Sequence, residues 1–317
     1  MTQVDKRISF IVVGDVMVDT FARSHDRITM GTDHAATISR HVGGQAANTS
    51  SWLAWLGMPV TLVAACGDDT NGQWVSRELS SLGVRPNLTA VDRPTGVCSV
   101  IVDTDGARTM FSDPGANLVI DHLTSHTWTK NLTSSIRPSH LHVSGYLLER
   151  DRTVVASLLQ SARESNPSPT TSLDTAALTP SDSHHRSLLD ALPYLDVLIG
   201  TYEELTTLAG FHEGSAPGRE SSLIDHWRHA HAFTGTIVIK RGADGAVADD
   251  RDEQITVPAQ PTHVADTTGA GDAFCAGFLA AWTFDHSNLA AALESGITAA
   301  SSAVSRIGAG PAAREGR

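Results

Sequence analysis

The amino-acid sequence predicts an α/β protein: a doubly wound, mostly parallel sheet flanked by helices, with a small antiparallel β-piece standing off it. Three observations carry this reading. Short apolar runs recur, the first of them, residues 8–13, rich in Ile and Val and closed by Gly14-Asp15, as an internal parallel strand is. Stretches with helical spacing alternate with them along most of the chain. One hairpin signal, residues 97–102 and 108–111 around Asp103-Thr104-Asp105-Gly106, interrupts that alternation.

The elements follow in order. Residues 8–13 read as a buried strand that ends at Gly14-Asp15, with Asp19 on its exit. The polar segment 23–42 carries short alternations such as Ala36-Thr37-Ile38-Ser39. Gly43-Gly44 then opens a helix whose Trp52, Trp55 and Leu56 fall at i, i+3 and i+4 before Gly57 stops it. A strand over 60–65 and a helix over 74–82 complete a βαβ pattern. After the hairpin come strand 140–143, helix 152–163, strand 170–174, helix 185–192, strand 197–199 and helix 203–209. Strand 236–240 leads into Gly242-Ala243-Asp244-Gly245 and a further strand near Ala246, and Ala-rich helices over 273–283 and 289–306 close the chain. Segments 166–171, 179–185 and 212–222 are turn-rich loops, too short for interdomain linkers.

Composition excludes several function classes. The 317 residues are 41% apolar and 18% charged, as in globular proteins of one large domain or two ordinary ones. A formal net charge of −12 with no run of Lys and Arg argues against nucleic acid as a partner. Any anionic ligand must be held locally, by backbone N–H groups, a few cations or a metal. Cys66, Cys98 and Cys275 lie far apart without a CxxC, which indicates neither disulfides nor zinc and suits a reducing cytosol. No apolar stretch approaches the ~20 residues of a membrane span, so no membrane partner and a cytoplasmic location are expected. His226, His229 and His231, at helix-like intervals, and His140 and His142, on one strand face, lack accompanying ligands and read as surface or structural histidines. Trp52, Trp55 and Trp128 read as packing.

The string Asp266-Thr267-Thr268-Gly269-Ala270-Gly271-Asp272-Ala273-Phe274 carries the most chemistry. Gly269 and Gly271 leave the backbone uncovered before an Ala-rich helix, where free N–H groups and the helix dipole suit a phosphate. Asp272 beside such a phosphoryl group makes sense as a base for an attacking hydroxyl. On these residues alone, a glycine turn with an acidic cap is an equal reading. A dinucleotide fingerprint fails because its third glycine would be Phe274. A P-loop fails because Lys occurs only at Lys6, Lys130 and Lys240, never after Gly.

Residues 266–274 resemble the C-terminal signature of the ribokinase/PfkB family of carbohydrate kinases, and Gly43-Gly44-Gln45-Ala46-Ala47-Asn48 is similar to its N-terminal signature. The resemblance runs from Ile8 to Arg306 and implies a ribokinase-like fold. It implies Asp272 as the general base and the amides of Gly269, Ala270 and Gly271 as the anion hole for a transferred γ-phosphoryl group. Asp19, Gly43, Gly44 and Asn48 would hold the sugar, and Lys240, Gly242, Gly245 and Thr267 the nucleotide. Thr201-Tyr202-Glu203-Glu204 stands where the family has Asn-x-x-Glu, so Glu204 would organise Mg²⁺, although two acids in a first helical turn are also favoured by the dipole alone. Asp266 and the Thr268 carbonyl would belong to a site for a monovalent cation such as K⁺. Asp174, at a strand end, faces substrate or only ends the strand.

The implied activity is an ATP-dependent sugar kinase moving the γ-phosphoryl of MgATP to a hydroxyl, expected to be a primary one. The α/β catalytic domain would comprise 1–19, 43–85 and 114–317, and a β-lid two insertions, 20–42 and 86–113. A ketodeoxy acid, a phosphorylated sugar or a nucleoside stands as the alternative acceptor. Arg23, Arg27 and Arg40 would serve an acidic acceptor, and Phe21 and Phe111 a nucleoside. The Thr201 substitution also opens the reading of a sugar- or nucleotide-binding regulator without turnover. An exposed lid edge would suit a homodimer.

Overall fold

In the first strand, β1 (Phe10–Val13), every residue is apolar and buried, because both faces of the sheet are covered. Phe10 and Val12 enter one core and Ile11 and Val13 the other. The computed structural model describes residues 8–120, 128, 138–150, 152–176, 181–211 and 220–311. The loop expected over 212–222 lies mostly outside them, as do residues 179–180 of the one expected over 179–185, whose residues 182–185 are instead the first turn of a helix capped by Ser181.

β1 stands near the middle of a nine-stranded sheet. To one side lie β4 (Val60–Gly67) and β5 (Arg85–Val91). To the other lie β8 (His140–Ser144), β9 (Thr170–Asp174), β10 (Val197–Thr201) and β11 (Thr236–Lys240), all parallel. Two antiparallel strands, β12 (Ala246–Asp249) and β13 (Gln254–Val257), complete the far edge. One face packs against α1 (Gln45–Trp55), α2 (Thr70–Ser81), α7 (Ala270–Trp282) and α8 (Leu289–Val304). The other packs against α3 (Val154–Arg163), α4 (Asp182–Ala191), α5 (Tyr202–Leu208) and α6 (Glu220–His229).

A separate four-stranded sheet is ordered β3-β2-β6-β7, from β2 (Met17–Ser24), β3 (Ala36–Gly43), β6 (Gly96–Val102) and β7 (Arg108–Asp113). Its own small core is Phe21, Cys98, Val100 and Val102. The expected hairpin is β6–β7, paired Val97↔Asp113 through Val102↔Arg108.

Several boundaries differ from the sequence reading. Residues 86–91 belong to β5 of the large sheet, because Thr61 to Gly67 of β4 pair with them in parallel register and Leu88 packs on the core. The small sheet's second segment therefore starts at Gly96. Its first segment starts at Met17, so Asp19 lies within β2. Helix α2 starts at Thr70 because the Asp69 side chain caps it, accepting from the Gly72 N–H at 2.7 Å.

Candidate active site

The parallel strands deliver Asp15, Ser144, Asp174, Thr201 and Lys240 to the same sheet edge, their C-terminal one, where doubly wound folds place ligands. Asp15 caps α1 from another element. Its carboxylate accepts from Gln45 N at 2.9 Å, Ala46 N at 3.3 Å and Ser144 Oγ at 2.8 Å. The formal N-cap, Gly44, has no side chain to do so, and its φ of 99° is left-handed. A Cβ there would lie 2.7 Å from the Asp15 carbonyl oxygen, and one at Gly43 would lie 2.1 Å from Asp19 Oδ1. The glycine pair thus lets two acids approach the start of α1. Gln45 ties the edge together, its Oε1 accepting from Gly145 N at 3.0 Å and sharing the single Ser144 hydroxyl proton with Asp15 at 2.6 Å, its Nε2 donating to Thr175 O at 3.2 Å.

Asp272 sits in the first turn of α7, and Asn48 of α1 donates from Nδ2 to its Oδ2 at 2.8 Å. Burial raises the Asp272 carboxyl to about 7; Asp174 and Asp15 push the same way, while the Asn48 bond and Lys240 oppose it. Asp19 is also raised to about 7, by burial and then by Asp15. Gly269, the N-cap of α7, has φ 73°, and a Cβ on it would fall 2.6 Å from Ala309. No side chain caps this helix, and Gly269, Ala270 and Gly271 line the cavity, with the Ala270 N–H donating to Thr267 O at 3.3 Å.

Lys240 donates to Asp174 Oδ1 at 2.6 Å, and its Nζ lies 3.3 Å from where a Cβ on Gly271 would stand. A positive charge therefore sits beneath the Gly269–Gly271 backbone. Asp174 is completely buried and raised to about 6 by burial, with Lys240 opposing; its Oδ2 has no hydrogen-bond partner. Burial disfavours the Lys240 charge, but Asp174 and Glu204 outweigh it and hold the ammonium protonated.

Thr201 and Glu204 form a reciprocal capping box on α5. Glu204 N donates to Thr201 Oγ1 at 3.2 Å, and Glu204 Oε2 accepts from Thr201 N at 2.8 Å and Thr175 Oγ1 at 2.9 Å. The hydroxyl of Thr201 thus does the capping that fixes Glu204, and both bonds fall on one carboxylate oxygen. Asp266 is engaged otherwise than the resemblance implies: its carboxylate is paired with the Arg108 guanidinium from β7, which also bonds Thr268 Oγ1.

A single cavity of about 1080 Å³ joins these groups. Asp19, Gly44 and Asn48 line it, with Asp15, Tyr146 and Arg150, which sequence reasoning did not single out. Asp272 and residues 269–271 line the same cavity, as do Glu204, Lys240, Gly242, Gly245 and Thr267. Gly43 and Asp266 stand behind the wall. Asp15 and Gln45 were legible only as a strand end and a helix start, since their partners come from other strands.

The arginines considered for an acidic acceptor do not line the cavity; Arg40 stacks over Trp74 at 4.0 Å and bonds Asn71 at 2.6 Å. Phe21 is buried in the small sheet and Phe111 is exposed. His140 and His142 are fully buried and hydrogen-bonded to Thr170 and Ser172, and no cluster of three metal-ligating side chains occurs among the described residues. Among the same residues, no helix is long and apolar enough to cross a membrane.

The profile of the pfkB family of carbohydrate kinases matches residues 7–315. The chain belongs to this family. It is a carbohydrate kinase of ribokinase-like fold. Among its relatives is the 5-dehydro-2-deoxygluconokinase of Geobacillus thermodenitrificans, 26% identical over 86% of this chain and 81% of that enzyme. The ATP-dependent ribose-1-phosphate kinase of Halopiger xanaduensis is 29% identical over 77% of this chain and 74% of its own. The crystal structure of Cryptococcus neoformans ribokinase in complex with ADP superposes with a TM-score of 0.74, at 28% identity and 95% coverage of both chains.

Proposed function

We propose that this pfkB kinase transfers the γ-phosphoryl group of ATP to a hydroxyl of a neutral sugar, with Asp272 as general base. The observation that carries the reading is Asp272 itself: a carboxyl raised to about 7, fixed by Asn48, at the uncapped start of a helix inside the cavity. A base poised near neutrality accepts the acceptor's proton and stays ionised for much of the working range.

The donor set suits a nucleoside triphosphate. The amides of Gly269 and Gly271 offer N–H groups to developing negative charge, with the Lys240 ammonium beside Gly271, while the Ala270 N–H donates to Thr267 O at 3.3 Å and would have to exchange that bond to join them. Beyond them, Gly242 and Gly245 shape the nucleotide end; at Gly245 a Cβ would strike Val257 O at 2.0 Å. Glu204 is the oxygen donor suited to Mg²⁺, a hard cation that binds through one or two carboxylates, substrate phosphates and water. When bound, the ion neutralises phosphate charge.

Asp19, Gly44 and Asn48 present acceptors and donors to sugar hydroxyls, and Asp15 and Asp19 make that end acidic, which disfavours an anionic acceptor. Arg150 supports a second reading, a ketodeoxy sugar acid, in line with the names of the deoxygluconokinase relatives, but its guanidinium is bonded to Glu149 at 2.8 Å. ADP release measured by a coupled assay across pentoses, hexoses, a ketodeoxy acid, ribose phosphate and a nucleoside tests the reading. Turnover highest with a neutral sugar is expected; turnover confined to the acid would establish the second reading. Sugar binding without ADP release under any Mg²⁺ condition would refute phosphoryl transfer.

A further inference from the structure

The Asp266 carboxylate joins three parts of the molecule. Oδ1 accepts from Thr268 N at 2.7 Å, Oδ2 accepts from Gly308 N at 2.9 Å, and the Arg108 guanidinium lies against Oδ1. Asp266 is only 4% exposed. Thr268, to which Arg108 also donates, directly precedes Gly269, and Gly269 packs against Ala309, the residue after Gly308. The carboxylate therefore joins the loop that carries the anion hole to the Gly308 loop packed against it, and the charge balancing it arrives from the small sheet. A monovalent metal ion at this carboxylate would stand beside a guanidinium of like charge already bonded to Asp266 Oδ1. The residues present do not fit such an ion.

We propose that Arg108 replaces the monovalent cation expected at Asp266, serving as the positioning residue of the anion hole and tying it to the small sheet. Two consequences follow. Nucleotide binding needs no K⁺, because one nitrogen of a resident guanidinium, Nη1, contacts both Asp266 Oδ1 and Thr268 Oγ1 and holds them together. Acceptor and nucleotide ends are also linked, because Met110 and Ser112 of the same strand β7 line the cavity. The inference rests on the assignment of residues 269–271 to the anion hole.

The test is binding of MgATP to the full-length protein by calorimetry, without acceptor, in tetramethylammonium chloride and in KCl at equal ionic strength. Wild-type affinity is expected to be the same in both salts. Arg108→Ala is expected to lose about tenfold in affinity in tetramethylammonium, the scale of a lost charge-assisted bond, and to recover in KCl as the vacated carboxylate admits the ion. Arg108→Lys should retain affinity without K⁺. A wild-type protein that needs K⁺ to bind nucleotide, or an Arg108→Ala protein weakened equally in both salts, would overturn the proposal. Because binding is read without an acceptor, failure of the sugar-kinase reading shows separately, as absence of ADP release from a protein that still binds MgATP.

Discussion

Asn48 Nδ2 donates to Asp272 Oδ2 at 2.8 Å, joining the starts of two helices 224 positions apart in the chain. The bond fixes one carboxylate oxygen and leaves the other to accept a proton. It also favours the ionised carboxylate, against the burial that disfavours it.

The rate of phosphoryl transfer should therefore rise with pH about a midpoint near 7, since only ionised Asp272 acts as a base. Asn48→Ala removes an interaction that lowers the carboxyl, so the midpoint should move upward and the rate at pH 7 should fall. A pH–kcat profile of both proteins checks the direction.

Asp272 should also diminish stability. Its folded value of about 7 lies above the ordinary 3.8, so the folded state binds the proton more tightly, and stability declines as pH rises from 3.8 through 7. Asp272→Asn removes that penalty and should stabilise the protein at pH 8 by up to about 4 kcal/mol, with the gain shrinking toward pH 4. Urea unfolding at several pH values reads both.

Lys240→Met leaves Asp174 buried without its ion-pair partner, which should destabilise the fold by about 3–5 kcal/mol. Adding Asp174→Asn should recover part of that loss, because the uncompensated charge is gone. Denaturant midpoints of the two single variants and the double variant give the coupling.

Glu204→Gln should raise the Mg²⁺ concentration needed for half-maximal rate. Thr201→Val should do the same and lower stability by about 1 kcal/mol through the lost cap, whereas Thr201→Asn should preserve both. Magnesium titrations with parallel melting curves distinguish these outcomes.

The parallel strands and the two glycine signatures were legible because their information is local: apolar runs fix strands, and uncovered backbone marks a helix start. β5 escaped because an edge strand is half-exposed and its Arg85-Pro86-Asn87 opening reads as a loop until Thr61 to Gly67 pair with it. Asp15 looked like a strand end because the amides it caps belong to another element. The Arg108–Asp266 pair joins β7 of the small sheet to the loop before α7, and nothing within either segment announces the other. Lys240 read as a phosphate contact; its burial against Asp174 beneath Gly271 emerges only when β9, β11 and α7 converge.

That Asp272 takes the acceptor's proton is tested most directly by sugar-dependent ADP release from Asp272→Asn, with MgATP and sugar affinities measured alongside. The expected result is a fall in kcat of about 10³-fold with both ligands still bound at near wild-type affinity. ADP release near the wild-type rate would contradict it.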